Sequence, residues 1–267
     1  MKVTNWCSKL TAAILAAGIW VPGMAYAQVS IPLGDPSFEA FAVPAFPGGD
    51  GFAYSDTYRP TSAWVDDLDN PPDGTGGPSD YYLQDDGGSN WLYDAAYAEG
   101  ASTARKRAAP RTGNQAMHGF GYYNAQETNA VFEAGRTYTF SAWAQGDDDS
   151  TATTSRVFLY IFDGSVPFSE ANSLIFKRFA PDTGDFVNRT VGMTAAASQA
   201  NWRQISLSHT VLPGASEIGH PVGVGFWIAA DGALDDATLT SVIPEPTTVI
   251  LVGLSGLALV AIRRRRE

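Results

Sequence analysis

The chain of 267 residues is acidic, with 28 Asp and Glu against 17 Lys and Arg and a formal net charge of -11. A surface of this sign repels phosphate backbones, so we expect no nucleic-acid partner. The single cysteine, Cys7, lies in the N-terminal leader, so the rest of the chain has no disulfide, no thiol nucleophile and no Cys-ligated metal.

The first 27 residues have the three parts of a signal peptide. Lys2 and Lys9 precede or border the apolar run 10–21, and the small-residue triplet Ala-Tyr-Ala follows at 25–27. Signal peptidase recognises this order of charge, apolar centre and cleavable site. The apolar run is also short for a transmembrane helix. We therefore predict that residues 1–27 are removed by signal peptidase during export.

Residues 28–241 are predicted to form one all-β domain. This segment is rich in Gly, Pro, Asp, Thr and aromatic residues and has no long helical periodicity. Four stretches either alternate apolar with polar or small residues or are apolar at every position: 137–142, 157–162, 204–211 and 222–229. Because turn-rich loops separate these stretches, the pattern predicts a single antiparallel β-sandwich.

Four short motifs follow one another across this domain: GDPSFE at 34–39, GRTYTFS at 135–141, WRQIS at 202–206 and LDDATL at 234–239. In this order they resemble the galactose-binding-like jelly rolls. That group includes xylan-binding and glucan-binding carbohydrate-binding modules. The resemblance implies a jelly-roll topology and contact with extracellular polysaccharide.

The same resemblance implies a structural calcium ion. In these jelly rolls the first and last strands lie side by side, and Ca²⁺ is often held where they meet. The matching positions are Glu39 and Asp236, with Asp235 beside them, and carboxylate oxygens are the ligands that Ca²⁺ prefers. The alternative is that Asp235 and Asp236 are turn and capping residues before the last strand.

Six aromatic residues are candidates for contact with a sugar ring. Trp143 and Trp227 lie out of phase with the apolar face of their own strands, and the platform would be extended by Trp91, Tyr93, Tyr122 and Tyr123. A ring on the face opposite the core can stack on a sugar, but sandwiches also bury such rings beneath long loops. The sequence leaves both interpretations open.

One basic cluster lies outside the C-terminal tail, and it consists of Arg105, Lys106, Arg107 and Arg111. Such a cluster can bind an acidic polysaccharide or form a protease-sensitive loop. An ordinary exposed turn before Pro110 is the simpler interpretation.

No catalytic residues are predicted. His118, His209 and His220 lie in no recognisable nucleophile motif, there is no Gly-x-Ser-x-Gly elbow, and no His pair has zinc-ligand spacing. We therefore expect a protein that is not an enzyme and is associated with polysaccharide. A structural envelope or biofilm component without a ligand is the alternative, and a secreted hydrolase is the third candidate.

The chain ends with three features in a fixed order. Pro244, Glu245 and Pro246 precede the apolar segment 247–262, which is followed by four arginines: Arg263, Arg264, Arg265 and Arg266. A helix begins only after the second proline, and its length is near the lower limit for crossing a bilayer. Arginines directly after such a segment place that end in the cytoplasm.

This end of the chain, residues 242–267, resembles the PEP-CTERM sorting region. In bacteria that make extracellular polysaccharide, such regions are processed by an exosortase. The resemblance implies a protein that is exported, anchored in the inner membrane by its C-terminal helix, and then processed to reach the cell surface or the extracellular space.

Overall fold

The computed structural model describes eleven parts of the chain: 27–40, 52–54, 64–66, 90–94, 107–119, 122–147, 155–166, 168, 170–190, 192–229 and 232–243. Gln28–Val242 is one compact unit. The predicted signal peptide and the predicted helix at 247–262 lie outside the described residues. Within the described residues, no helix has the length and apolar character needed to cross a membrane.

The described strands are β1 (Ala27–Ile31), β2 (Phe52–Tyr54), β3 (Val65–Asp66), β4 (Asn90–Asp94), β5 (Gln115–Gly119), β6 (Tyr122–Val131), β7 (Thr137–Gly146), β8 (Arg156–Asp163), β9 (Ser173–Phe179), β10 (Arg203–Thr210), β11 (Pro221–Ala229) and β12 (Gly232–Ile243). Two short 3₁₀ turns lie at Glu170–Asn172 and Pro181–Thr183, and one α-helix, α1, spans Ala195–Asn201. The side chain of Thr194 caps α1 by accepting a hydrogen bond from the Ala197 N–H.

The strands form two antiparallel sheets. The seven-stranded sheet has the order β10-β7-β12-β5-β4-β2, with β1 also paired to β12, and the five-stranded sheet has the order β3-β6-β11-β8-β9. The prediction of a single antiparallel β-sandwich of the jelly-roll type is thus confirmed, and the four predicted strand segments correspond to β7, β8, β10 and β11. The first and last strands lie side by side.

The main core lies between the two sheets because every second residue of the long strands points inward. The core includes Tyr138 and Phe140 from β7, Leu159 from β8, Ile205 from β10 and Phe226 from β11. The residues that alternate with these core positions point away from the core. Strand β8 is apolar on both faces, as its sequence predicts, because its outward residues belong to a second aromatic cluster.

The segment 33–40 bridges the two sheets. The Gly34 N–H donates to the side-chain oxygen of Gln126 in β6, and the Ala237 N–H in β12 donates to the Pro36 carbonyl. Phe38 is fully buried between them, with its ring 6.0 Å from Trp64 and 5.8 Å from Phe226. It has a φ of 58°, a conformation that a bulky residue adopts only when its surroundings impose it.

Replacing Phe38 by alanine tests this bridge. We expect Phe38→Ala to lower the free energy of unfolding by about 3–5 kcal/mol, the usual cost of removing a buried phenylalanine ring. Urea unfolding of the full chain in detergent measures the shift in midpoint. Val166→Ala is the control because Val166 is exposed. Equal midpoints for the two variants would contradict the role given to Phe38.

Candidate functional site

The second aromatic cluster lies on the side of the five-stranded sheet that points away from the core. Tyr123, Trp227 and Phe158 form one row across β6, β11 and β8. Tyr160 and Phe176 form part of the next row, on β8 and β9. We call these five residues the aromatic face.

Glycines in β11 make room for the rings. A Cβ atom on Gly223 would lie 2.4 Å from the ring of Phe162, which is closer than any real contact. A Cβ atom on Gly225 would touch Phe168, a fully buried ring that packs against Tyr160 and Phe162. The small residues that alternate with the core positions of β11 thus form the floor of the cluster.

The rings of the aromatic face overlap one another. Tyr123 and Trp227 have centroids 5.5 Å apart and planes within 27°, and Trp227 and Phe158 are 4.7 Å apart and within 32°. The first pair is stacked and the second is tilted, and both arrangements are favourable for aromatic rings at these distances. Phe176 stacks on Tyr160 at 5.6 Å and is 47% exposed. It therefore has the largest exposed fraction of the five side chains.

Polar groups lie beside these rings. The Tyr123 hydroxyl donates to Glu170 at 2.8 Å, and Arg178, which pairs with Phe158 across the strands, donates to both carboxylate oxygens of Asp182. Burial raises the pKa of Tyr160 far above its usual range, so this phenol stays neutral. The face thus combines uncharged rings with hydrogen-bonding groups at its rim.

Of the predicted aromatic residues whose side chains are described, Tyr123 and Trp227 lie in this face, whereas Trp143 lies on the outer side of the other sheet. There the guanidinium of Arg111 covers the Trp143 ring at 3.8 Å. Trp91 and Tyr93 belong to β4 and Tyr122 belongs to β6, and the side chains of these three residues lie outside the described residues. The platform of Trp143 and Trp227 therefore does not form, because the two rings belong to different sheets.

Segment 107–115, which we call the strap, leads into β5 and is held by side chains from distant parts of the chain. Asp147 accepts from the Arg107 guanidinium at 2.8 Å and from the Ala108 N–H at 2.6 Å. The Ala109 N–H donates to Ser198, and its carbonyl accepts from the Trp202 indole. The basic cluster of the sequence is thus partly neutralised by internal partners.

Asp147 is fully buried and is the main anion of this network. Burial acts to raise the pKa of its carboxyl, but the neighbouring His118 and Arg107 outweigh burial and hold the pKa below its usual value. Because the folded pKa lies below the unfolded value, the ionised carboxylate stabilises the fold above about pH 4. That contribution is lost as the pH falls through the folded pKa.

We therefore expect Asp147→Asn to lower the free energy of unfolding at pH 7 by about 3 kcal/mol, because the largely buried Arg107 guanidinium loses its anionic partner. The variant should also lose less stability than the wild type when the pH is lowered below 4. Urea unfolding between pH 2 and pH 7 measures both effects. Glu133→Gln, which removes an exposed ion pair with Arg136, is the control. Wild-type stability of Asp147→Asn at pH 7 would show that the buried carboxylate does not hold the network together.

The residues predicted to bind calcium do not form a metal-binding group. Across the parts of the chain that are described, no three His, Cys, Asp or Glu side chains converge as metal ligands would. Glu39 and Asp236 accept hydrogen bonds from the strap instead. Burial and the charge of Asp236 raise the pKa of Asp235 to about 8. These carboxylates are therefore directed at hydrogen-bond donors and not at one common point.

One Ser-His-Asp group is present at the surface, but its geometry is not that of a catalytic triad. Asp163 and Ser165 both contact the same nitrogen of His220, Nδ1, at 2.7 Å and 3.1 Å. A triad needs the acid on one ring nitrogen and the nucleophile on the other, so that a proton can pass between them. This group therefore lacks the arrangement that activates a serine.

Comparison with known protein families identifies the C-terminal end. Residues 242–266 match the model of the PEP-CTERM protein-sorting motif. The chain therefore carries this motif, which confirms the resemblance seen in the sequence. The motif implies an exported surface protein that an exosortase processes. The comparison with curated proteins found no match.

Among solved structures, the sandwich is similar to the Stig cyclase Fisc from Fischerella sp. TAU. The identity is 13%, the match covers 80% of this chain and 98% of the cyclase, and the TM-score is 0.50. The module TmCBM61, solved with beta-1,4-galactotriose, matches at 14% identity over 52% of this chain and 83% of its own, with a TM-score of 0.31. The CBM22-1 xylan-binding domain from Paenibacillus barcinonensis Xyn10C matches at 10% over 51% and 77%, with a TM-score of 0.30. At these identities the likeness concerns the fold alone.

Proposed function

We propose that this protein is a non-catalytic surface or matrix protein whose sandwich contacts extracellular polysaccharide through the aromatic face. The observation that carries the proposal is the exposed ring of Phe176, stacked on Tyr160 and continuous with Trp227 and Phe158. Outward rings in such number are unusual on a sheet that would otherwise face only water.

The chemistry of the aromatic face favours a neutral sugar polymer. A pyranose ring has an apolar face that packs on aromatic carbon and hydroxyl groups that bond to polar rim groups. Glu170 and the Arg178–Asp182 pair supply such groups at this rim. An acidic polymer is less favourable because the chain itself carries a net charge of -11 and because Arg107 and Arg111 are engaged internally.

Delivery to the surface follows from the two ends of the chain. We propose that signal peptidase removes residues 1–27 and that segment 247–262 anchors the protein in the inner membrane. The arginines at 263–266 hold the tail in the cytoplasm. An exosortase then acts at the Pro-Glu-Pro motif, and the sandwich reaches the cell surface or the extracellular space.

Binding to polysaccharides tests the first part of this proposal. The full chain in detergent should bind at least one neutral polysaccharide on a glycan array. Phe176→Ala and Trp227→Ala should each weaken that binding about tenfold, which corresponds to the loss of one stacking contact. Leu212→Ala is the matched control because Leu212 is an exposed apolar residue in the loop between β10 and β11, outside the aromatic face.

Two results would contradict this part of the proposal. Absence of binding to every polysaccharide would favour a structural envelope component without a ligand. Loss of binding in Trp143→Ala together with unchanged binding in Phe176→Ala would move the site to the seven-stranded sheet.

Processing tests the second part of the proposal. Replacing both Pro244 and Pro246 by alanine should leave the protein at its unprocessed size in the inner membrane of its own host, since the exosortase no longer meets its motif. Immunoblots of membrane and surface fractions measure the ratio of the two forms. Normal maturation of the double variant would contradict the role of the motif.

A further inference from the structure

The three carboxylates that the jelly-roll resemblance suggested as calcium ligands are Glu39, Asp235 and Asp236. Each of them accepts hydrogen bonds from the strap. Both oxygens of Asp235 accept backbone N–H groups, from Arg111 at 2.9 Å, from Thr112 at 3.3 Å and from Asp236 at 2.8 Å. One oxygen of Glu39 accepts two more, from Asn114 and Gln115, each at 2.7 Å.

The third carboxylate, Asp236, is paired with a permanent cation. One of its oxygens accepts from the Arg111 guanidinium, and the other accepts from the Thr112 hydroxyl at 2.6 Å. The guanidinium is fixed from its other side by the ring of Trp143, whose centroid lies 3.8 Å away. An arginine held by a carboxylate and an aromatic ring is well defined in position.

We propose that Arg111 is the internal cation of this junction, so that the first and last strands are joined without calcium. The guanidinium supplies the positive charge that the jelly-roll resemblance assigned to the ion. The backbone N–H groups of the strap supply the remaining donors. Ca²⁺ requires several oxygen atoms around one point, whereas these oxygens are directed at nitrogen and hydroxyl donors distributed along five consecutive residues.

Backbone geometry supports a direct contact between the strap and these carboxylates. Gly113 has a φ of 59°, and a Cβ atom on it would lie 2.4 Å from a carboxylate oxygen of Glu39. Asp236 has a φ of 48° at the point where the pairing of β12 with β7 shifts register. The two chain segments are thus shaped to fit each other directly, with glycine at the closest approach.

Thermal unfolding of the full chain in detergent tests the proposal. The wild type should have the same Tm after treatment with EDTA and after addition of excess CaCl₂. Arg111→Ala should lower the Tm by about 5–10 °C, because the half-buried Asp236 carboxylate loses its cation. Arg111→Lys should give an intermediate Tm, since lysine keeps the charge but not the planar fork.

Arg203→Ala is the matched control, because Arg203 is exposed and makes one long contact with the Trp202 carbonyl. Asp236→Asn should lower the Tm less in the Arg111→Ala background than in the wild type, since the two residues act as a pair. A fall in the wild-type Tm on adding EDTA would overturn the proposal. Equal Tm values for Arg111→Ala and Arg203→Ala would also overturn it.

Discussion

Carboxylates that accept backbone N–H groups hold the strap in place, and the seven-stranded sheet depends on this because β5 begins where the strap ends. Asp147 holds its first residues, Asp235 its middle and Glu39 its end. A buried carboxylate is costly unless donors surround it, so each one fixes a single path for the chain. With its one cysteine confined to position 7, the protein uses such contacts where many small exported domains use disulfides.

The outer faces of the two sheets have different roles. The strap, Trp143 and Trp202 cover part of the seven-stranded sheet, where the rings are engaged by Arg111 and by backbone groups. Among the described residues, Phe168 from the connection between β8 and β9 packs on the aromatic face of the five-stranded sheet. Aromatic rings therefore pack against an arginine on one sheet and mainly against one another on the other.

Strand positions were predictable because side-chain alternation is a local property that β7, β10 and β11 follow, and because β8 is apolar at every position from 157 to 162. Trp227 was found by the same signal, its phase against the core. Phe176 was missed because β9 is an edge strand whose residues do not alternate cleanly. The true partner of Asp236 was hidden for another reason: Arg111 is 125 residues away in sequence. The order of the motifs indicated which carboxylates lie near one another. It gave no information about the hydrogen-bond donors that a distant part of the chain brings to them.

The edge strand β9 has a consequence for contacts between molecules. Its outer side has no neighbouring strand in the described sheet, and open edges of this kind template pairing between molecules. Lys177 and Arg178 lie in the middle of β9, and Lys177 is held over the ring of Phe179 at 4.5 Å. Adjacent molecules would have to desolvate these two cations to join edge to edge. The strand thus opposes fibre-like assembly even when copies are crowded side by side.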